Sequence, residues 1–561
     1  MTHPPGGPDW QAQPPAPGTE RQDRPSWLQQ PPSEPAPGPG PQAPQGPSGP
    51  GWQGRGWAPT PPPEPPRGRR VGRLTAALVL LVVVGLAVGG VVFASRPERP
   101  ATTASGATAG TPTTQPPAAT PTTRAPAATP AGPGIQAVEH DVAALRELQF
   151  RRRVPVTVES PAKLAKRLLA VLAEESDEND LRRQGRAMEL LGELPAGTDL
   201  PRLLNRVQAE SVLGFYVPGR PPKGGLYVRS SRGLDPYAKI ILAHELTHAV
   251  TDQHFDLTKA DRLAAATGRE DELAAYSALV EGDATLAMQR YLAERLTPAE
   301  QANAGLVAST QSAPERDAAP AAVRESMLFP YQEGLRFVRA LYQQGGWRAV
   351  NDAYKDPPTS TEQLLHPERY LRDRDRPQKV EVADLSARIG PGWRPAAELS
   401  FGELDARLLL QGELAVTTAE AAAAGWDGGR LRTFQRGTHT ALALRTVWDS
   451  TAEATQFCNA MRGWATSRFG SATRASGSLH WSGAGQRTAL RCTGPRVAWL
   501  SAPDRPTLDR LQRSLGPPRP VVGRVDDRAG AGDHGRHRAP AGTGPGRAPA
   551  PGRRPTTNLR S

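Results

Sequence analysis

Aromatic residues make up only 5% of this 561-residue chain, and cysteine occurs twice. The shortage of aromatics matters because a net charge of +12 would otherwise suggest nucleic acid. No basic segment is interleaved with rings that could stack on bases, and nine Arg against three Asp in 517–561 supply +6 of the +12. No nucleic-acid partner is expected; the basic tail reads as solvated, with contact to anionic cell-wall polymers as an option its charge allows. Apolar periodicity is missing from residues 1–66, which are rich in Pro, Gly and Gln and cannot bury enough surface to offset chain entropy. Residues 1–73 read as a disordered tail whose polyproline stretches, such as Pro61-Pro62-Pro63, suit partner domains or plain solvation.

Long apolar runs are scarce as well. The exception is Leu74 to Ala94, 21 residues that at about 1.5 Å each match a hydrocarbon layer of roughly 30 Å. Arg67, Arg69, Arg70 and Arg73 crowd its N-terminal flank, whereas Arg96 and Arg99 are partly offset by Glu98, so the N-terminus should stay cytoplasmic and the bulk of the chain be exported. Val92-Phe93-Ala94 would also suit a cleavable signal peptide, but the length of the run and the tail before it favour an uncleaved anchor in the cell membrane. Residues 95–134 are Thr, Ala and Pro rich and read as a stalk, and 517–561 as a disordered tail. In an exported protein Cys458 and Cys492 suggest one structural disulfide, closing a loop worth roughly 3 kcal/mol.

Chemistry concentrates in His244-Glu245-Leu246-Thr247-His248. On a helix, residues four apart share a face, so both imidazoles can hold one Zn2+ ion while Glu245 borders its open position. Asp235 and Pro236 are a good N-cap and first helical residue for that helix. A third ligand is needed, and Glu281, in a helical pattern from Arg269 to Leu296, is the choice. Asp283 is its nearest competitor but points roughly 200° away from it, and Gly282 would let two helices approach closely. Gly214–Pro218 and Gly225–Arg229 read as a hairpin, the second strand being either an edge for an extended substrate or ordinary sheet support.

The stretch from His244 to Asp252 resembles the active-site helix of thermolysin-like peptidases, and Glu281-Gly282-Asp283-Ala284 is similar to the third-ligand segment of aminopeptidase-N-like enzymes. Both are gluzincins, zincins with a glutamate ligand. Tyr216 to Tyr370 resembles membrane-anchored zinc metallopeptidases predicted in actinobacteria. The resemblance implies that His244, His248 and Glu281 bind zinc and that Glu245 moves a proton from the zinc-bound water to the leaving amine. Asp252 would either orient an imidazole or lie near the surface, and His254 reads as structural. Tyr331 and His366 are candidate transition-state donors, with a buried packing role as the alternative for each. The Asn-Glu-x-x-Ser-Asp segment of thermolysin-like enzymes is absent, so substrate preference does not transfer.

The remaining segments divide into two parts. Helices are expected over 135–150, from Pro161, through Leu194 and over 200–212, then from Phe329 to Gly345-Gly346, with Ser360-Thr361-Glu362-Gln363 capping a short helix that ends at His366. From about Val380 the pattern changes to an α+β module over 380–516, with strands near 430–434, 440–448, 478–481, 487–492 and 496–500. The fold expected is α+β: a mainly helical zincin-like domain over 135–379 with a small sheet, then this module. The function expected is extracellular, zinc-dependent hydrolysis of peptide or protein substrates. A catalytically silent envelope scaffold and a zinc amide hydrolase acting on peptidoglycan are the rivals.

Overall fold

A computed structural model describes residues 133–175, 177–218, 224–230 and 233–515. The tails, the apolar run 74–94 and nearly all of the stalk expected from the sequence lie outside the described residues. Among the described residues no helix is long and apolar enough to cross a membrane. The fold is mixed α+β with a seven-stranded sheet.

The first part opens with α1 (Pro133–Arg146), β1 (Val156–Glu159), α2 (Pro161–Glu175), α3 (Glu178–Leu191) and α4 (Leu200–Ser211), followed by β2 (Gly214–Val217) and β3 (Gly225–Arg229). Val138, Val142 and Leu145 put the apolar face of α1 into the core. The helix stops at Arg146, short of the expected Phe150, because Glu147 turns left-handed at φ 58°. Asp177 and Asp199 cap α3 and α4. The hairpin forms as expected, but β3 is not an edge: the strand order is β1-β3-β2, with β1 parallel to β3 and β2 antiparallel. Val156-Thr157-Val158-Glu159 is too short to stand out by periodicity, and its partner strand is distant in sequence, so the sequence hides the pairing. The edge strand of this hairpin is β2.

Helices α5 (Pro236–Phe255), α6 (Lys259–Ala264), α7 (Glu270–Arg295), α8 (Pro298–Ser309), α9 (Pro314–Asp317), α10 (Ala321–Lys355) and α11 (Thr361–Leu365) follow, then a π turn over Arg369–Asp373 and α12 (Ser386–Ile389). Along α5 every residue from Ile240 to Gln253 is buried, and α7 is buried from Leu273 to Met288 save Ala274, so these two helices are the centre of the first part rather than its surface. Helices α7 and α10 meet backbone to backbone: a methyl on Gly282 would lie 2.1 Å from the Gly334 carbonyl oxygen. Helix α10 begins at Ala321, well before the expected Phe329, and carries Pro330 inside it. Gly345 and Gly346 interrupt it as the sequence suggests, but the helix resumes beyond them.

The second part is an antiparallel sheet of β4 (Arg394–Ser400), β5 (Trp426–Arg436), β6 (His439–Trp448), β7 (Thr473–Ala475), β8 (Ser478–Gly483), β9 (Gln486–Thr493) and β10 (Arg496–Ala502), in the order β4-β5-β6-β10-β9-β8-β7. Alternation along the strands fills both faces. Leu442, Leu444 and Trp499 pack under α13 (Glu403–Gln411), α14 (Val416–Ala423) and α15 (Thr451–Phe469). Ala441, Ala443 and Leu500 pack under α12 and α16 (Arg505–Leu515). The first face also takes Ala187, Leu190 and Leu191 of α3, so the two parts share a core. Cys458 on α15 and Cys492 on β9 are bridged.

Candidate metal centre

Asp235 accepts a hydrogen bond from the Ala238 N–H (2.8 Å), and Pro236 presets the first turn, so α5 starts in the register that stacks His244 under His248. Where α7 crosses, Glu281 Oε2 lies 3.1 Å from His244 Nε2 and 3.4 Å from His248 Nε2, and the two Nε2 atoms are 3.0 Å apart. The three side chains form a buried group that can hold a metal ion. Two imidazole nitrogens and a carboxylate converging on one point, with Glu281 Oε1 left without a partner, is an arrangement that a cation would complete.

The three groups also act on one another's charge. Burial pushes Glu281 up, but His248 and His244 outweigh it and hold the carboxyl below its ordinary range. Burial lowers His244, whereas in His248 the pull of Glu281 overcomes burial and raises it.

Glu245 stands beside the group at 3% exposure, its Oε2 without a partner. Burial pushes its carboxyl up to about 8, with Glu281 adding to the rise and His248 and the Tyr216 N–H opposing it. A bound cation would draw it down again. The contact with β2 is close: a methyl on Gly214 would come within 3.1 Å of Glu245 Cγ. Tyr331 is buried with its ring stacked on His244, centroids 6.2 Å apart, and it also packs with Leu203, Leu204 and Val207 of α4.

The other expected residues go elsewhere. Asp283 faces away from the imidazoles and takes a two-pronged contact from Arg146 at 2.7 and 3.1 Å. Asp252 orients no imidazole in its hydrogen bonds: it accepts from Tyr216 Oη (2.8 Å), Arg152 (3.2 Å) and the Leu257 N–H (3.0 Å), closing the end of α5. His254 bonds the Gln149 carbonyl. His366 is paired with Glu403 at 3.1 Å, beside Arg407, where the two parts meet. Its Nε2 thus meets a buried carboxylate of the second part, in keeping with the packing role that the sequence left open beside that of a donor. Sequence reasoning did not single out Arg146, whose partners lie 137 and 205 positions away, or the Tyr216 N–H, which no side-chain pattern reports.

A second set, Glu362, Asp375 and Asp449, is also close enough to ligate. Arg369 Nη1 already sits among them at 3.4, 2.7 and 2.6 Å, so a guanidinium supplies the cation and clamps the two parts together.

Nearby, Asp271 Oδ1 accepts from Thr361 N–H (3.2 Å) and Oγ1 (2.6 Å). Burial pushes Asp271 up to about 7 against those bonds, Asp405 up to about 6 and Glu362 up to about 9. Unfolded carboxyls titrate near about 4, so between that pH and these values the folded state binds more protons. The stabilisation is complete below about pH 4 and is lost as pH rises through roughly 6 to 9. We expect the thermal midpoint to fall from about pH 5 to about pH 8 and Asp271→Asn to flatten the profile; a midpoint that rises over this range contradicts the assignment.

Comparison with known proteins adds one finding. A family described as a domain of unknown function (DUF8575) matches residues 393–512. That span runs from the start of the seven-stranded sheet into α16 and does not include His244, His248 or Glu281. No curated protein and no solved structure matches the chain.

Proposed function

We propose that this protein is a membrane-anchored, extracellular zinc metallopeptidase with a zincin-like first part of the gluzincin kind. The observation that carries the reading is the meeting of Glu281 Oε2 with both histidine Nε2 atoms, within 3.1 and 3.4 Å, beside Glu245, whose Oε2 has no partner. Zinc bonds of about 2.0–2.1 Å at tetrahedral angles put neighbouring donors roughly 3.3 Å apart, close to the separations here. Two imidazoles and one carboxylate are also the donor set of catalytic zinc sites that keep a fourth position free. Zinc held there supplies a Lewis acid that polarises the scissile carbonyl and acidifies water.

The chain's own groups do the rest. Glu245 takes the proton of the attacking water and delivers it to the departing amine, as the C–O bond forms and the C–N bond breaks. Tyr331, stacked on His244, is the candidate donor to the oxyanion. The edge of β2, whose Tyr216 N–H reaches Glu245, suits an extended substrate backbone added as a strand. The Cys458–Cys492 bridge fits an oxidising compartment, in keeping with an anchor at 74–94 and an exported bulk.

The test uses full-length protein in detergent. It should carry about one zinc per chain and cleave a peptide library, and Glu281→Ala should lower zinc affinity by more than the roughly 100-fold that losing even an outer partner can bring. Wild type without zinc sinks the proposal. Zinc without peptide cleavage points to an envelope scaffold, and release of fragments from purified wall material instead of peptides points to a peptidoglycan amide hydrolase.

A further inference from the structure

Asp283 looks from the sequence like a rival ligand, yet it gathers side chains from three other helices. Arg146 at the end of α1 donates to Oδ1 (2.7 Å) and Oδ2 (3.1 Å), Tyr354 of α10 donates to Oδ2 (2.9 Å), and Thr251 of α5 reaches Oδ2 at 3.4 Å. Every one of these groups is buried, and Arg146 has no exposed surface. Its guanidinium also donates to Asn351 Oδ1 (2.7 Å) and lies 4.3 Å from the Trp347 ring, while Trp347 Nε1 bonds the Leu145 carbonyl. The end of α1 is thus held at two successive residues.

The placement matters because of what is adjacent. Thr251 lies three residues past His248, and Asp283 two past Glu281, so α5 and α7 are tied together about one turn from where their ligating side chains meet. The Gly282–Gly334 contact sets how closely α7 approaches α10. A carboxylate bonded from three directions adds a directional tie from α7 to α1, α5 and α10. Charge balance points the same way: Arg146 is a buried cation whose partner is Asp283, so neither side chain can swing away without stranding the other.

We infer that Asp283 is a positioning residue that fixes the register in which Glu281 meets His244 and His248, with Arg146, Thr251 and Tyr354 as its anchors. The inference rests on the metal-centre reading above. It makes α1 part of the centre's scaffold, through Asp283 rather than through the ligands themselves.

Single truncation of Arg146 or Asp283 leaves an unpaired buried charge and risks unfolding. The informative variants are therefore Thr251→Val, Tyr354→Phe and the charge-free double variant Arg146→Met/Asp283→Leu. Zinc affinity of full-length protein is measured by chelator competition, and thermal midpoints are taken on the metal-free forms. The double variant should weaken zinc binding about 10- to 100-fold, the range seen when outer partners of ligands are lost. Each single variant should lose several-fold, and Thr251→Ser should keep wild-type affinity. Variants that lose thermal stability yet bind zinc as tightly as wild type would show a merely structural role and overturn the inference. Wild type that binds no zinc would instead remove the metal-centre reading, and this inference with it.

Discussion

Glu245→Gln should bind zinc as tightly as wild type and hydrolyse peptides at least about 1,000-fold more slowly, within the roughly 10²- to 10⁴-fold that proton transfer by a placed side chain contributes. The substitution keeps the shape of the side chain and an oxygen that can accept the Tyr216 N–H. It removes only the ability to take up and release a proton. Because Oε2 has no partner, no hydrogen bond is lost at that position. Burial raises the Glu245 carboxyl to about 8, so ionising it in the metal-free protein works against folding, and the sign follows. Above that pH the neutral amide should leave metal-free protein as stable as wild type or more so. Steady-state cleavage beside metal content decides the matter: full turnover by the variant would remove Glu245 from the mechanism, and loss of zinc would make it a ligand.

Gly282→Ala should be among the most damaging small substitutions in the first part. The added methyl would overlap the Gly334 carbonyl, which belongs to backbone and cannot rotate away. Helices α7 and α10 would have to part, at a cost of about 3 kcal/mol or more, the upper end of what overpacking usually costs. The neighbouring residue is Glu281, so a shift of α7 also displaces the carboxylate from its place against the imidazoles. Urea unfolding and zinc titration should show both losses together. Gly334→Ala, whose methyl would overlap the Ala278 carbonyl, should reproduce the loss of stability. A variant with wild-type stability would mean that the helices can shift at no cost.

What could be read in advance was local. The cap at Asp235, the i, i+4 histidines, the helix bearing Glu281 and strands β5, β6, β8, β9 and β10 each follow from periodicity and end signals within a few residues, whereas β4 and the three-residue β7 do not. What could not be read depends on partners far away in sequence. The pairing of β1 with β3 makes β3 internal and leaves β2 as the edge. Pro330 looked like a helix start because proline suits that place, but the helix is already under way from Ala321. His366 resembled a donor because its sequence neighbours say nothing of Glu403, 37 residues on. For the site itself, residue types and spacing named the three converging side chains, while the outer bonds of Asp283 needed the fold.

The shared core has a consequence for how the chain reaches its native state. Ala187, Leu190 and Leu191 lie against residues as distant as Trp499. At synthesis rates of about 5–20 residues per second, the roughly 300 residues between them take some 15–60 s to emerge. Throughout that interval the stripe of α3 formed by Ala187, Leu190 and Leu191 has no final resting place, while α5, α7 and α10 have cores of their own within the first part. Long-range closure of this kind is slow and exposed to misassembly. A chain interrupted before β10 should therefore leave that stripe of α3 uncovered, an apolar surface open to misassembly.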